Sequence, residues 1–197
     1  MMAATGPSRS AEPARSPGRE LDPATLERAR RGDPMAFRAF VVRYERPVFS
    51  LLSRILGRGP EVEDLAQETF LRAFRALPSF DPNGPARVST WLLTIATRLA
   101  LDSKRRTRPE PASTEPEVET TSPERAAMHH ELREAIAAAL EGLSDDQRAA
   151  FVLAEFHGFS LKEIEAALDV PVATLKTRLF RAREKLARAL ESFEEER

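Results

Sequence analysis

The sequence predicts an all-α protein: two small helical domains joined by a flexible acidic, Pro-rich linker, the C-terminal one a helix-turn-helix. Three observations carry this. Apolar residues recur at helical spacing from Asp22 to about Arg106 and again from Arg125 to Leu190, with no β-hairpin signal and no internal repeat. Between these blocks, Arg108 to Pro123 holds four prolines and four glutamates, with Val118 its one large apolar residue, the composition of an extended tether. Finally, Phe159 to Leu186 reads as helix, tight turn and second helix. The expected divisions are a disordered leader over 1–20, a first domain over 21–107, the linker over 108–123, a second domain over 124–190 and a charged tail over 191–197.

In the first domain, Pro23 opens a helix that Gly32-Asp33-Pro34 breaks. A long helix follows with Phe37, Phe40, Val41, Tyr44, Val48, Leu51, Leu52 and Ile55, and Gly57 to Pro60 ends it. A third runs from about Glu61 to Leu77, with Val62, Leu65, Phe70 and Phe74 among its apolar positions. Pro78 to Val88 contains three prolines and Asn83-Gly84, so it is a loop. Ser89 or Thr90 is placed to cap the last helix, whose inward face is Trp91, Leu92, Ile95 and Leu99. In the second domain, helices are expected over Arg125 to Leu140 and Ser144 to Phe156. Gly142 and Gly158 serve as stops, and Ser144 and Ser160 as caps.

Ser160 and Glu163 have the S-x-x-E spacing of a capping box, and Pro171 suits the first turn of the next helix. At about 100° per residue, Leu175, Leu179, Ala182, Leu186 and Leu190 form one apolar stripe. Thr174, Thr177, Arg181 and Arg188 lie opposite, with Phe180 at the edge. A short helix packed across a long basic one is the layout that enters a DNA major groove. The net charge of −1 hides segregation. Lys176 to Arg188 carries six basic residues against Glu184 alone, and Lys104, Arg105, Arg106 and Arg108 form a second basic run. The acids concentrate in Glu110 to Glu124 and in Glu194 to Glu196. Local field governs phosphate attraction, so both basic runs point to DNA.

Other classes are poorly supported. With no cysteine, the chain has no disulfide, thiolate metal site or thiol sensor. His129 and His130 are adjacent, hence splayed on a helix, and His157 stands apart, so no metal site or cofactor is expected. No Gly-rich phosphate loop and no Ser–His–Asp or Cys–His arrangement is visible, which argues against an enzyme. No run of eighteen apolar residues and no apolar signal core occurs, so membrane insertion is not expected and the chain is assigned to the cytoplasm.

Four motifs in order resemble an extracytoplasmic-function (ECF) RNA polymerase sigma factor of the sigma-70 family. They are Gly32-Asp33-Pro34-Met35-Ala36-Phe37 leading to Tyr44, and Asp64-Leu-Ala-Gln67-Glu68-Thr-Phe70 followed by Phe74. Then come Thr90-Trp91-Leu92 with Ile95-Ala96 and Asp102, and Thr174-Leu-Lys-Thr-Arg178 with Arg181-Ala-Arg183. The resemblance covers roughly Leu21 to Leu190 and implies an alternative sigma factor that binds core RNA polymerase and directs initiation from −10 and −35 elements. It implies as partners the largest-subunit clamp helices and the flap of the polymerase, promoter DNA and an anti-sigma factor. By the same resemblance Asp64, Gln67, Glu68 and Phe70 would face the polymerase. Phe80, Asp81, Asn83, Ser89, Arg98, Lys104, Arg105 and Arg106 would meet DNA at and upstream of −10. Lys176, Thr177, Arg178, Phe180, Arg181 and Arg183 would meet the −35 element, with Arg178 and Arg183 the better suited to phosphate or surface partners. The chain departs from the family at Arg98, where asparagine is common, at Ala173, where glycine is common, and in the length of the Pro78–Val88 loop. A response regulator would need a receiver domain with strands, and a protein-only adaptor would not need the basic last helix.

Overall fold

The structure, a computed structural model, describes residues 20–57, 59–106 and 135–195. The tether expected over 108–123 and nearly all of the expected leader lie outside the described residues. Asp22 accepts a hydrogen bond from the Thr25 N–H at 2.9 Å and so caps α1 (Pro23–Arg30). Gly32, at φ 85°, turns the chain back. Asp33 then caps α2 (Pro34–Leu56) by accepting from the Met35 and Ala36 N–H groups at 2.9 and 3.2 Å. After α3 (Pro60–Ala76) and a 3-10 turn at Leu77–Ser79 the loop leads into α4 (Val88–Arg106). α2 is the centre of this half and packs on α1, α3 and α4. Phe40, Val48, Leu51, Leu52 and Ile55 of α2 are fully buried, together with Leu92 and Ala96 of α4.

Ser89 and Thr90 do not cap α4. The helix already begins at Val88, so both sit inside its first turn and their hydroxyls bond elsewhere. Ser89 donates to the Glu20 carboxylate and Thr90 to that of Glu163 at 3.3 Å.

In the second half α5 (residues 135–141) leads into α6 (Asp145–Phe151), which widens into a π-helical turn at Val152–Phe156. α7 (Leu161–Leu168) and α8 (Val172–Glu195) follow. The expected capping box at Ser160–Glu163 forms, and Ser144, expected as a cap, makes a second one with Gln147. Pro171 precedes α8 and occupies its cap position, where a proline side chain has nothing to offer. The Glu165 carboxylate of α7 instead accepts from the Val172 N–H at 3.0 Å. α8 runs on to Glu195, through most of what composition marks as a tail. All described elements are helices or turns, and no strand occurs among the described residues.

The two halves touch: α4 packs on α6 and α7, and α2 on α6 and the π-helical turn. Replacing Ser160 with alanine removes one side of the α7 capping box and should cost about 1 kcal/mol, read as a lowered urea midpoint. An unchanged midpoint would mean that tertiary packing alone holds the start of α7.

Candidate nucleic-acid interface

The helix-turn-helix is set by its buried seam. Ile164 and Ala167 of α7 meet Leu175 and Leu179 of α8 with almost no exposure. Asp169, left-handed at φ 55°, makes the turn between the helices. With Leu175, Leu179, Ala182 and Leu186 facing inward, Lys176, Thr177, Phe180 and Arg181 are left on the solvent face. Phe180 is 62% exposed, so its ring is accessible between Lys176 and Arg181.

The cations of α8 divide into two groups. Arg178 pairs with Asp146 at 3.0 Å and Arg183 with Glu155 at 2.6 Å, while Arg188 pairs with Glu184. Lys185 donates to the Gly142 carbonyl at 2.9 Å. Arg178, Arg183 and Lys185 thus tie α8 to the rest of its half, while the Arg188–Glu184 pair lies within α8 itself. Lys176 and Arg181 are exposed and make no ion pair among the described residues, so their charge is free for a ligand.

In the first half Lys104, Arg105 and Arg106 end α4, and Arg105 is within 3.5 Å of Asp102. The preceding loop is an Asx turn: the Asp81 carboxylate accepts from the Asn83 N–H at 2.9 Å. A Cβ at Gly84 would lie 3.2 Å from the Asp81 carbonyl oxygen, so the turn favours glycine. Asp81 and Asn83 are exposed. Phe80 does not project with them. It is 8% exposed and its ring lies 5.1 Å from that of Trp91, so it anchors the loop. Ser89 is held by Glu20, whose carboxylate also accepts from the Tyr44 hydroxyl at 2.7 Å. Burial pushes that phenol's pKa up. Arg98 donates to the Ala167 and Ala166 carbonyls at 3.0 and 2.8 Å, a partner no local pattern reveals.

On α3, Asp64 and Gln67 are exposed and Glu68 pairs with Arg72 at 2.7 Å. Gln67 and Phe70 line an apolar groove of about 360 Å³ between α2 and α3, walled by Phe37, Val41, Phe49, Leu71 and Phe74 and rimmed by Glu45 and Glu63. The groove itself was not legible in the sequence. Its signal was available: α2 carries Phe37, Val41 and Phe49 at i, i+4 and i+12, beside the fully buried stripe its core needs.

A helix-turn-helix with free cations on its outer face, beside a second helical unit with an apolar, acid-rimmed groove, defines a helical DNA-binding protein that also docks on another protein. Residues 27–110 match Sigma-70 region 2 and residues 133–186 match Sigma-70 region 4. The ECF RNA polymerase sigma-E factors of Salmonella typhimurium and Escherichia coli are each 37% identical over 176 residues, 83% of this chain and 91% of theirs. The RNA polymerase sigma-H factor of Pseudomonas aeruginosa is 34% identical over 185 residues, 87% of this chain and 95% of its own. Among solved structures, CnrH in complex with the cytosolic domain of CnrY aligns with TM-score 0.62 and 28% identity, covering 86% of this chain and 96% of that one. The sigma factor RpoE of Bartonella quintana, in complex with the anti-sigma factor NepR, shares the fold with TM-score 0.64 over 79% of this chain and 96% of that one, at 22% identity. The chain belongs to the sigma-70 family, in its ECF group, and is a sigma factor that acts with RNA polymerase at promoter DNA. No helix among the described residues is long and apolar enough to cross a membrane.

His157 closes the π-helical turn. Burial, with the Arg54 charge beside it, pushes its imidazole down from the ordinary 6.5 to about 4. The unfolded chain therefore takes up a proton near pH 6.5 that the folded chain refuses until about pH 4. Stability should be full above about 6.5, fall through this window and level off below it, by at most about 3 kcal/mol. Urea midpoints of wild type and His157→Phe between pH 7 and 4 check this; parallel profiles would rule His157 out as the source.

Proposed function

We propose that this chain is an alternative sigma factor that recruits core RNA polymerase to promoters through separate −10 and −35 contacts, performs no bond chemistry itself and works in the cytoplasm. The observation that carries the reading is the free pair Lys176 and Arg181 flanking exposed Phe180 on α8, within a chain that contains both sigma-70 regions. On a major groove, Arg181 can offer two donors to guanine, while Thr177 and Phe180 suit thymine methyls and Lys176 a phosphate or guanine. Arg178 and Arg183, bound to Asp146 and Glu155, are better placed to support α8 than to read bases. In region 2, exposed Asp81 and Asn83 project from the loop that Phe80 anchors, and are the candidates for an extruded −10 base. Ser89 and Arg98 join them only after giving up Glu20 and the α7 carbonyls. Lys104, Arg105 and Arg106 supply backbone contacts, which bring affinity and steep salt dependence but no sequence choice.

Asp64, Gln67 and Glu68 with Phe70 and the groove beside them form the polymerase-docking face, fitted to the clamp helices of the largest subunit. A second partner, an anti-sigma factor, is supported by CnrH and by Bartonella RpoE, each solved in complex with a second protein, in the latter a named anti-sigma factor.

Purified protein, core polymerase and a library of random promoters should yield transcripts whose start sites share −35 and −10 sequences. Arg181→Ala should weaken selection at one −35 position by roughly 1–3 kcal/mol, about 5- to 150-fold, while start sites remain polymerase-dependent. Transcription no greater than with core polymerase alone would sink the proposal.

A further inference from the structure

Glu20, just ahead of α1, is held from two sides by elements far from it in the chain. Its Oε2 accepts from the Tyr44 hydroxyl of α2 at 2.7 Å, and its Oε1 accepts from the Ser89 hydroxyl in the first turn of α4. Tyr44 is the anchor of the pair. Its oxygen also accepts from the Leu21 N–H at 3.0 Å, and burial, which pushes its pKa up, keeps the phenol a donor. The Ser89–Glu20 bond is the more exposed half of the arrangement, since both residues are half-buried where Tyr44 is buried. A hydroxyl donor and a carboxylate acceptor, each satisfied by the other, thus sit at the end of the loop from which Asp81 and Asn83 project.

A donor beside an acceptor is the pattern that one class of base edge demands. Cytosine presents its N4 amino group next to the N3 acceptor, and adenine presents N6 next to N1. A carboxylate accepts from the amino group while a hydroxyl donates to the ring nitrogen. Thymine and guanine reverse the pattern, with a carbonyl oxygen in place of the amino group and a ring N–H in place of the acceptor. A carboxylate cannot donate, so those bases set two acceptors against each other. Bases drawn out of a stack are read on this Watson–Crick edge. A backbone phosphate is a poor occupant here, because the carboxylate repels it.

We propose that Glu20 and Ser89 form the seat of one extruded base and select adenine or cytosine over thymine and guanine. The entering edge takes the place of the Ser89–Glu20 bond, so each group exchanges one partner for another and neither is stranded. Tyr44 keeps the Glu20 carboxylate in place while Ser89 turns to the base. That the base belongs to a −10 element rests on the function proposed above; the choice between bases does not.

The choice is read first on the full-length protein alone, with fluorescently labelled single-stranded oligo(dC) and oligo(dT) at pH 8. These pyrimidines are alike in size and differ in the edge the seat contacts. Wild type should bind oligo(dC) about 5- to 150-fold more tightly, the span of one good bidentate base contact. Glu20→Gln, whose amide also donates, and Ser89→Ala should each remove most of that preference. With core polymerase and the random promoter library, wild type should enrich adenine or cytosine at one −10 position. The same two variants should relax that position and leave the −35 sequence unchanged. Equal binding of the two oligonucleotides by wild type, or a preference that survives both substitutions, overturns the seat. A merely structural role for Glu20 would lower the urea midpoint of Glu20→Gln without moving the dC-to-dT ratio, and that result overturns it too. If circular dichroism shows Glu20→Gln to be unfolded, Ser89→Ala decides alone. A cytosine preference in a protein that supports no transcription would retain the seat and reject the sigma reading. Transcription with no base preference in either measurement would do the reverse.

Discussion

Everything in this molecule leans on the burial of one face of α2. Its side chains Phe40, Val48, Leu51, Leu52 and Ile55 are removed from water altogether, each worth about 1.5–3 kcal/mol relative to exposure. That surplus lets the helix carry Pro47 in its interior. The proline withdraws the N–H that would bond to the Arg43 carbonyl, a defect of about 3 kcal/mol in an isolated helix. Packing on α1, α3 and α4 outweighs it. The carboxyl end of the same helix supplies the Ile55 carbonyl and Arg54 to region 4, and its outer face supplies Phe37, Val41 and Phe49 to the groove. One element thus sets the core, the groove and the contact between the halves.

Charge is apportioned by pairing. A chain of net charge −1 binds an anionic polymer only where cations are left free of internal partners. On α8 the acids Asp146, Glu155 and Glu184 take up Arg178, Arg183 and Arg188, and these exposed pairs contribute little to stability. Their effect is selective: they draw charge away from one flank of α8 and leave Lys176 and Arg181 as the local source of positive field.

The features that were legible in the sequence are the local ones. The capping boxes at Ser144 and Ser160, the Asp33-Pro34 start of α2 and the Leu175–Leu186 stripe each lie within a few residues, so periodicity and cap chemistry reach them. The candidate contacts Lys176, Thr177 and Arg181 were legible for the same reason, as the reverse of that stripe. What local pattern cannot reach is any choice between partners far apart in the chain. Ser89 has the chemistry of a cap but bonds to Glu20, and Thr90 bonds to Glu163. Phe80 has the chemistry of a base-stacking ring but packs on Trp91. Arg98 has the chemistry of a phosphate contact but caps α7. In each case the residue type fits two roles, and tertiary contact selects one.

The contact between the halves is partly polar. Its polar part includes charge-assisted bonds from Arg98 and Arg148 to carbonyls at helix ends, each worth about 1.5–3 kcal/mol net when well formed, beside the Thr90–Glu163 hydrogen bond and the Arg87–Glu163 ion pair. Against this stand the desolvation of Arg148, whose Nε has no hydrogen-bond partner, and the entropy of holding the intervening chain. Within the contact, the arginine guanidinium groups satisfy helix-end carbonyls that have no intrahelical donor, so carbonyls that would otherwise need water are met across it.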